Sequence, residues 1–204
     1  MTIDVLRMET PLGPVVLAAS GAGLHAVEFS ESDRPGDWSF ARAYAGRAFG
    51  RGDGARPVAA RLAAYFDGDL GALDGLRVAA AGTEFQRRVW DALRRIPAGT
   101  TTTYGALAAS LASQGAARAV GRANALNPVA IVVPCHRVIG ASGELTGYAG
   151  GLSRKRWLLR HEAERRVGNA PGGRDVPLSE GGDEGQRTVR CGRSDGSVLL
   201  RSSP

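Results

Sequence analysis

Apolar positions in the first third of the chain come in short runs behind turn-forming residues. Val15-Val16-Leu17 follows Pro11-Leu12-Gly13-Pro14, and Leu24 to Phe29 follows Gly21-Ala22-Gly23. Runs of that length bounded by Gly and Pro predict strands, so residues 3–29 are expected to form a small antiparallel meander. From Ser30 to Gly54 the pattern weakens: Trp38, Phe40, Tyr44 and Phe49 are scattered among Gly, Asp and Arg, which predicts loop and one short helix. Between Pro57 and Phe66 the spacing becomes helical. Pro57 suits a first turn, and Val58, Leu62, Tyr65 and Phe66 share one face before Gly68. The Gly- and Asp-rich stretch 67–75 places a domain boundary near residue 80.

The second half is punctuated more sharply. Thr83 followed by Gln86 is a capping-box pattern, and Phe85, Val89, Trp90 and Leu93 form one apolar stripe ended by Pro97. Two short helices, 104–111 and 116–126, flank a break at Ser113-Gln114-Gly115 and make a helix-turn-helix candidate. Val129 to Val133 reads as a buried strand closed by Pro134, which puts Cys135 at a strand exit. Gly140 to Gly151 is turn-rich, and Leu152 to Val167 returns to helix with Trp157, Leu158 and Leu159 on its inner face. Residues 168–204 are rich in Gly and Ser and contain no aromatic, the composition of a disordered tail. The expected organisation is therefore 1–79, 80–167 and a tail at 168–204.

Composition narrows the classes. With 204 residues, 43% hydrophobic and 23% charged, the chain has enough apolar material for one domain or two small ones. Its apolar runs are strand-sized, so no membrane span is expected, and the amino terminus has no signal-peptide pattern, which points to the cytoplasm. Two cysteines, Cys135 and Cys191, do not make a disulfide scaffold. The charge is uneven: net −2 over 1–79, +8 over 80–167 and 0 over 168–204, which sum to the overall +6. A positive excess confined to the segment with the paired helices favours a polyanionic partner such as nucleic acid. All but one of the basic residues are Arg, the exception being Lys155.

Pro134-Cys135-His136-Arg137-Val138 carries the densest chemical signal. A thiol near its ordinary pKa is mostly protonated at neutral pH, so a nucleophilic cysteine needs a base beside it, and His136 is adjacent in sequence. Taken alone, the pair reads better as a buried structural cysteine with a satisfied histidine. Two cysteines and three histidines do not supply standard zinc spacing, so no metal is expected.

The residues around that pentapeptide decide between these readings. Asn127-Pro128, Pro134 to Gly140, Thr146-Gly147-Tyr148-Ala149-Gly150-Gly151 and Leu158-Leu159-Arg160-His161-Glu162 follow one another in order. Upstream stand Gly82-Thr83, Phe85-Gln86, Val89-Trp90, Ile96-Pro97-Ala98-Gly99-Thr100, Tyr104-Gly105 and Arg118-Ala119-Val120-Gly121. Over about 80–165 the chain resembles the O6-alkylguanine-DNA alkyltransferases. The resemblance implies an α/β protein: a small sheet-and-helix, RNase H-like first domain, then a mostly helical, winged-helix-like DNA-binding domain. It also implies direct reversal of damage in double-stranded DNA. The alkyl group on guanine O6 moves irreversibly to Cys135, with alkylated thymine O4 a further possible substrate, and the protein is consumed after one event. No cofactor is implied, and the protein is expected to act as a monomer, with cooperative loading on DNA left open.

By motif position, the resemblance makes His136 and Glu162 the members of a Glu-His-water-Cys relay that deprotonates the thiol. It makes Tyr104 the tyrosine beside the flipped nucleotide's phosphate, and Arg118 the arginine that fills the vacated base stack. Gly121 and Ala117 become the small residues that allow minor-groove approach. Asn127 takes the hinge position between recognition helix and Cys135. Tyr148 and Ala149 belong to a lid over the base, and Lys155 lies near the same pocket. Glu84 stands where the family often has Pro, and Arg122 and Asn124 are bulkier than the small residues frequent on the DNA-facing helix. A DNA-binding module without chemistry, and a cysteine hydrolase with multiple turnovers, are the rival readings.

Overall fold

A computed structural model describes residues 2–168, apart from Asp33, Pro35, Gly36, Ser113 and Gln114. The expected tail falls almost wholly outside the described residues. Strands β1 (Ile3–Met8), β2 (Val15–Ser20) and β3 (Gly23–Phe29) form the expected antiparallel meander. A fourth strand, β4 (Phe49–Gly50), adds parallel to β1 at the edge and gives the order β3-β2-β1-β4. Two residues are too few to leave a periodic trace, which is why the weak 30–54 pattern hid it. The short helix of that region is a 3-10 helix at Ser39–Tyr44.

The central strand β2 is buried on both faces, and the two-residue period of a strand sorts its side chains. Val16 and Ala18 face a small cluster with Ile3, Ala26, Trp38 and Phe40. Val15, Leu17 and Ala19 face the main core, which runs on through Leu62, Tyr65, Val89, Leu93, Val120, Val133 and Leu158. That single core spans both sides of residue 80.

Helix α1 (Arg56–Asp67) begins with Pro57 and ends at Gly68, whose φ of 114° is the left-handed conformation that closes a helix without a Cβ clash. Helix α2 (Glu84–Arg94) has the full capping box: the Thr83 hydroxyl accepts from Gln86 N and the Gln86 side chain accepts from Thr83 N. Its buried stripe is Val89, Trp90, Ala92 and Leu93. A two-residue strand β5 (Thr102–Thr103) leads into α3 (Tyr104–Ser110), capped by the Thr103 hydroxyl, and α4 (Ala117–Ala125) packs against α2 and α3. Strand β6 (Val138–Ile139) pairs with β5, and α5 (Leu152–Gly168) closes the described chain. No helix among the described residues is long and apolar enough to cross a membrane.

One expected element is not there. Val129–Val133 is buried apart from the half-buried Ala130, but it forms turns rather than a strand. Only Val129 bridges the edge of β3, through Val27 N to Pro128 O at 2.9 Å and Ala130 N to Val27 O at 3.0 Å. Two further backbone bonds close within the segment, Val132 N to Ala130 O and Val133 N to Val129 O. Ile131 has φ 71°, which a β-branched residue adopts only when its surroundings compel it, at a cost of about 1–3 kcal/mol. An apolar run shows burial, and hydrogen bonding then decides the backbone path.

Candidate active site

The segment before the cysteine is shaped by one side chain. Asn127 Oδ1 accepts from Val129 N at 3.0 Å, and its Nδ2 donates to Val133 O at 2.8 Å. Asn127 thus braces both ends of the turn segment that stands where a strand was expected. Cys135 opens a single 3-10 turn, Cys135–Arg137, in which Arg137 N donates to Pro134 O at 3.0 Å. The next two residues form β6, paired parallel to β5 with Thr102 to Val138 and Thr103 to Ile139, so the Cys135 turn lies alongside the segment that precedes β5, where Arg137 Nη1 donates to Ile96 O.

Glu162, on α5, is fully buried. Its Oε1 accepts from His136 Nε2 at 3.0 Å, from the Tyr65 hydroxyl at 2.8 Å and from Arg137 Nη2 at 2.8 Å. Its Oε2 accepts from Arg137 Nε and from Gly99 N, both at 2.9 Å. Gly99 has φ 70°, and that left-handed turn aims its N–H at the carboxylate. Burial alone would push the Glu162 carboxyl up. Hydrogen bonds and charge from His136 and Arg137 outweigh burial and hold it well below the usual carboxylate range. Glu162 is therefore a carboxylate acceptor, which fixes the proton of neutral His136 on Nε2 and leaves Nδ1 as a bare lone pair. Nδ1 is buried and unpartnered among the described residues. Burial pulls the His136 pKa down, and the hydrogen bond to Glu162 opposes that only in part.

Cys135 is 6% exposed and its thiol is free. Burial pushes the thiol pKa up, while the Asn127 amide and the Lys155 charge pull against that rise. Lys155 is completely buried; its Nζ donates to Val138 O and Thr146 O, both at 2.6 Å, tying β6 to the 140–151 loop. Desolvation lowers its pKa, and a charge on Cys135 would raise it. Tyr148 has a buried hydroxyl with no partner among the described residues, pushed well up first by burial and then by a negative Cys135.

Cys135 lines a cleft of about 530 Å³ whose walls include Asn127, Pro128, Trp90, Phe29 and Gly147 to Gly150. Purine-sized groups fit such a volume. Ala149 is exposed at its edge. Arg154 keeps the loop in place: its guanidinium donates to Leu12 O at 2.8 Å and Gly150 O at 3.1 Å and lies 4.5 Å over the Phe29 ring. Beside the cleft, α4 presents an exposed Arg118, an exposed Arg122 and the half-buried Ala117 and Gly121. A Cβ on Gly121 would stand 3.7 Å from the Tyr104 ring, and one on Gly147 would stand 3.9 Å from the Tyr104 hydroxyl, so Tyr104 bridges α4 and the loop.

Cys135, His136, Glu162, Asn127, Lys155, Tyr148 and Ala149 are thus gathered at or under the cleft, while Arg118, Ala117, Gly121 and Tyr104 share the neighbouring helical face. Asn124 differs from expectation: it is 3% exposed and turned into the protein, so α4 offers a smaller outward surface than its sequence suggested. Sequence reasoning assigned no role to Arg137, Tyr65 or Gly99. Arg137 sits inside the Cys-His motif and was open to notice. Tyr65 is indistinguishable in sequence from the other apolar positions of α1, and the contact it makes spans 97 residues.

Comparison with known proteins agrees with this geometry. The family model for the DNA-binding domain of 6-O-methylguanine DNA methyltransferase matches residues 84–164. The methylated-DNA–protein-cysteine methyltransferase of Salmonella typhimurium is 48% identical over 159 residues, covering 76% of this chain and 93% of its own. That of Methanosarcina acetivorans is 44% identical, covering 76% and 94%. The crystal structure of Mycobacterium tuberculosis OGT in complex with DNA matches with a TM-score of 0.66 and 40% identity over 81% of this chain and 94% of that one. The chain belongs to the methylated-DNA–protein-cysteine methyltransferase family.

Proposed function

We propose that the protein repairs double-stranded DNA by direct reversal, moving the alkyl group from guanine O6 to its own Cys135. The sulfur attacks the alkyl carbon, an S–C bond forms, and the C–O6 bond breaks with its electron pair returning to guanine. The thiol proton passes by way of a water to His136 Nδ1, and the Glu162 carboxylate steadies the imidazolium through Nε2. Lys155 and Asn127 favour the thiolate. Tyr104 helps to protonate the leaving guanine so that neutral guanine is restored, Arg118 fills the stack that the flipped base vacates, and Gly121 with Ala117 lets α4 approach the groove. Asn127 is the hinge between α4 and the Cys135 turn, and Tyr148 and Ala149 form the lid. On this reading the sheet-bearing half is RNase H-like and the helical half winged-helix-like. Because a thioether has no good leaving group, each molecule acts once.

The observation that carries this reading is a cleft-lining thiol next in sequence to a buried, carboxylate-paired imidazole with an open Nδ1. A module that only bound DNA would have no use for it. Incubation with an oligonucleotide containing O6-methylguanine, followed by intact mass, tests the reading. A single methyl added at Cys135, absent in Cys135→Ala, is the expected result. DNA binding without an adduct would leave the non-catalytic module, and repeated turnover would point to the hydrolase.

A further inference from the structure

Glu162 has one donor that the relay does not require. Tyr65 lies on α1, in the half of the chain that contributes neither Cys135 nor the DNA-facing helices, yet its hydroxyl reaches the same Oε1 that accepts from His136. Tyr65 is itself fully buried, and its ring and backbone are held by α5: the His161 ring is 5.3 Å away, and His161 Nε2 lies 2.9 Å from Tyr65 O. Its hydroxyl position is set by packing and is not free to follow Glu162. We propose that Tyr65 is a positioning residue for alkyl transfer: together with Arg137 it divides the Glu162 charge, and so sets how readily His136 takes the proton of Cys135. The proposal rests on the relay described above and deepens it.

The physical reasoning runs through competition at one carboxylate. Oε1 accepts from three groups and Oε2 from two, so the carboxylate's capacity of about four lone-pair sites is filled. Each donor stabilises the carboxylate charge and leaves less of it for the imidazolium that forms when the thiol proton moves. Removing the Tyr65 hydroxyl makes Glu162 a stronger acceptor for His136, and Cys135 then ionises at lower pH. The charged and titratable groups facing this cluster are His136 and Arg137 on the Cys135 turn, Lys155 and His161 on α5, Tyr148 on the loop and Tyr65 on α1. Of these, only Tyr65 belongs to the first half.

The test follows iodoacetamide alkylation of the Cys135 peptide against pH, in the intact protein, by mass spectrometry. At a fixed pH below the wild-type midpoint, Tyr65→Phe is expected to react about threefold faster, equivalent to a midpoint about half a pH unit lower. Arg137→Lys, which keeps the charge but loses the fork, is expected to move the midpoint the same way. Leu62→Ala, a buried truncation on α1, lowers thermal stability without touching Glu162 and should leave the midpoint where it is. A Tyr65→Phe midpoint that is unchanged or higher overturns the proposal, whatever happens to stability. His136→Gln separates the two levels: a midpoint that moves there but not in Tyr65→Phe leaves the relay standing alone, and one that moves in neither removes the relay as well.

Discussion

The α4 face and the Glu162 pocket lie on one molecule and obey opposite rules. On α4, Arg118 and Arg122 stand in solvent, their neighbours are small, and neither takes part in an ion pair among the described residues. Around Glu162 a carboxylate, a guanidinium, an imidazole and a phenol are shut away from water and hydrogen-bonded to one another and to the backbone at Gly99 N and Ile96 O. A surface charge is available for binding at little structural cost. A buried charge is tolerable only with its whole complement of partners, so chemistry and stability become the same residues there.

Substitution at Glu162 should show that union most strongly. Glu162→Gln leaves Arg137 buried without its counter-charge and His136 without its carboxylate. It is expected to cost about 3–5 kcal/mol of stability and to slow alkyl transfer by about 10²-fold or more, with DNA affinity close to wild type. Chemical denaturation, single-turnover kinetics and a binding titration read the three quantities. An unchanged transfer rate would take Glu162 out of the mechanism.

Arg118→Ala should show the reverse pattern. Repair of a duplex substrate is expected to fall by about tenfold or more, the equivalent of losing 1.4 kcal/mol or more of stacking and phosphate contact. Stability should stay within about 0.5 kcal/mol of wild type. Reaction with free O6-methylguanine base should hardly change, and equal losses on base and duplex would argue against a stacking role.

Acidity separates the two regions without mutation. The folded Glu162 carboxyl is held below its unfolded value, so the stability it contributes is present above the unfolded carboxylate range near pH 4 and is lost as pH falls further. His136 is also held down, in its case by burial, so the unfolded chain binds its proton first and stability starts to fall once pH drops below about 6.5. Thermal midpoints taken from pH 7 to pH 3 should therefore decline for wild type, and the gap between wild type and Glu162→Gln should narrow toward the acid end. Arg118→Ala should track wild type throughout.

Gly121→Ala is the mildest change. The new methyl would meet the Tyr104 ring at 3.7–3.8 Å, an ordinary contact, and Ala favours a helix over Gly by up to about 1 kcal/mol. A small rise in melting temperature with DNA affinity a few-fold weaker is expected. Affinity equal to wild type would mean that the helix does not approach the groove closely at this position.

Much of this division was open to inspection in the chain itself. The Thr83–Gln86 capping box, the stop at Gly68 and the apolar stripes of α1 and α2 are local effects that neighbours within four residues decide, and they stand where their spacing put them. The cysteine, the histidine beside it and the cationic α4 segment were legible for the same reason, because residue type and short spacing carry that chemistry. The backbone of 129–133 was not. A run of Val and Ile states only that the segment is buried, and whether it extends or turns depends on Asn127 and on the edge of β3.

Nor was the surrounding of Glu162 readable. Tyr65 looks like one more apolar position of α1, Gly99 like a loop glycine and Glu162 like a charge on a helix surface. Packing of α1 and α5 against the Cys135 turn brings their polar atoms to one point. Sequence by itself settled which groups are capable of chemistry and which short segments take regular form. The tertiary structure settled which of those groups lose water and whose protons they share, because desolvation and hydrogen bonding act between atoms that the chain order keeps far apart.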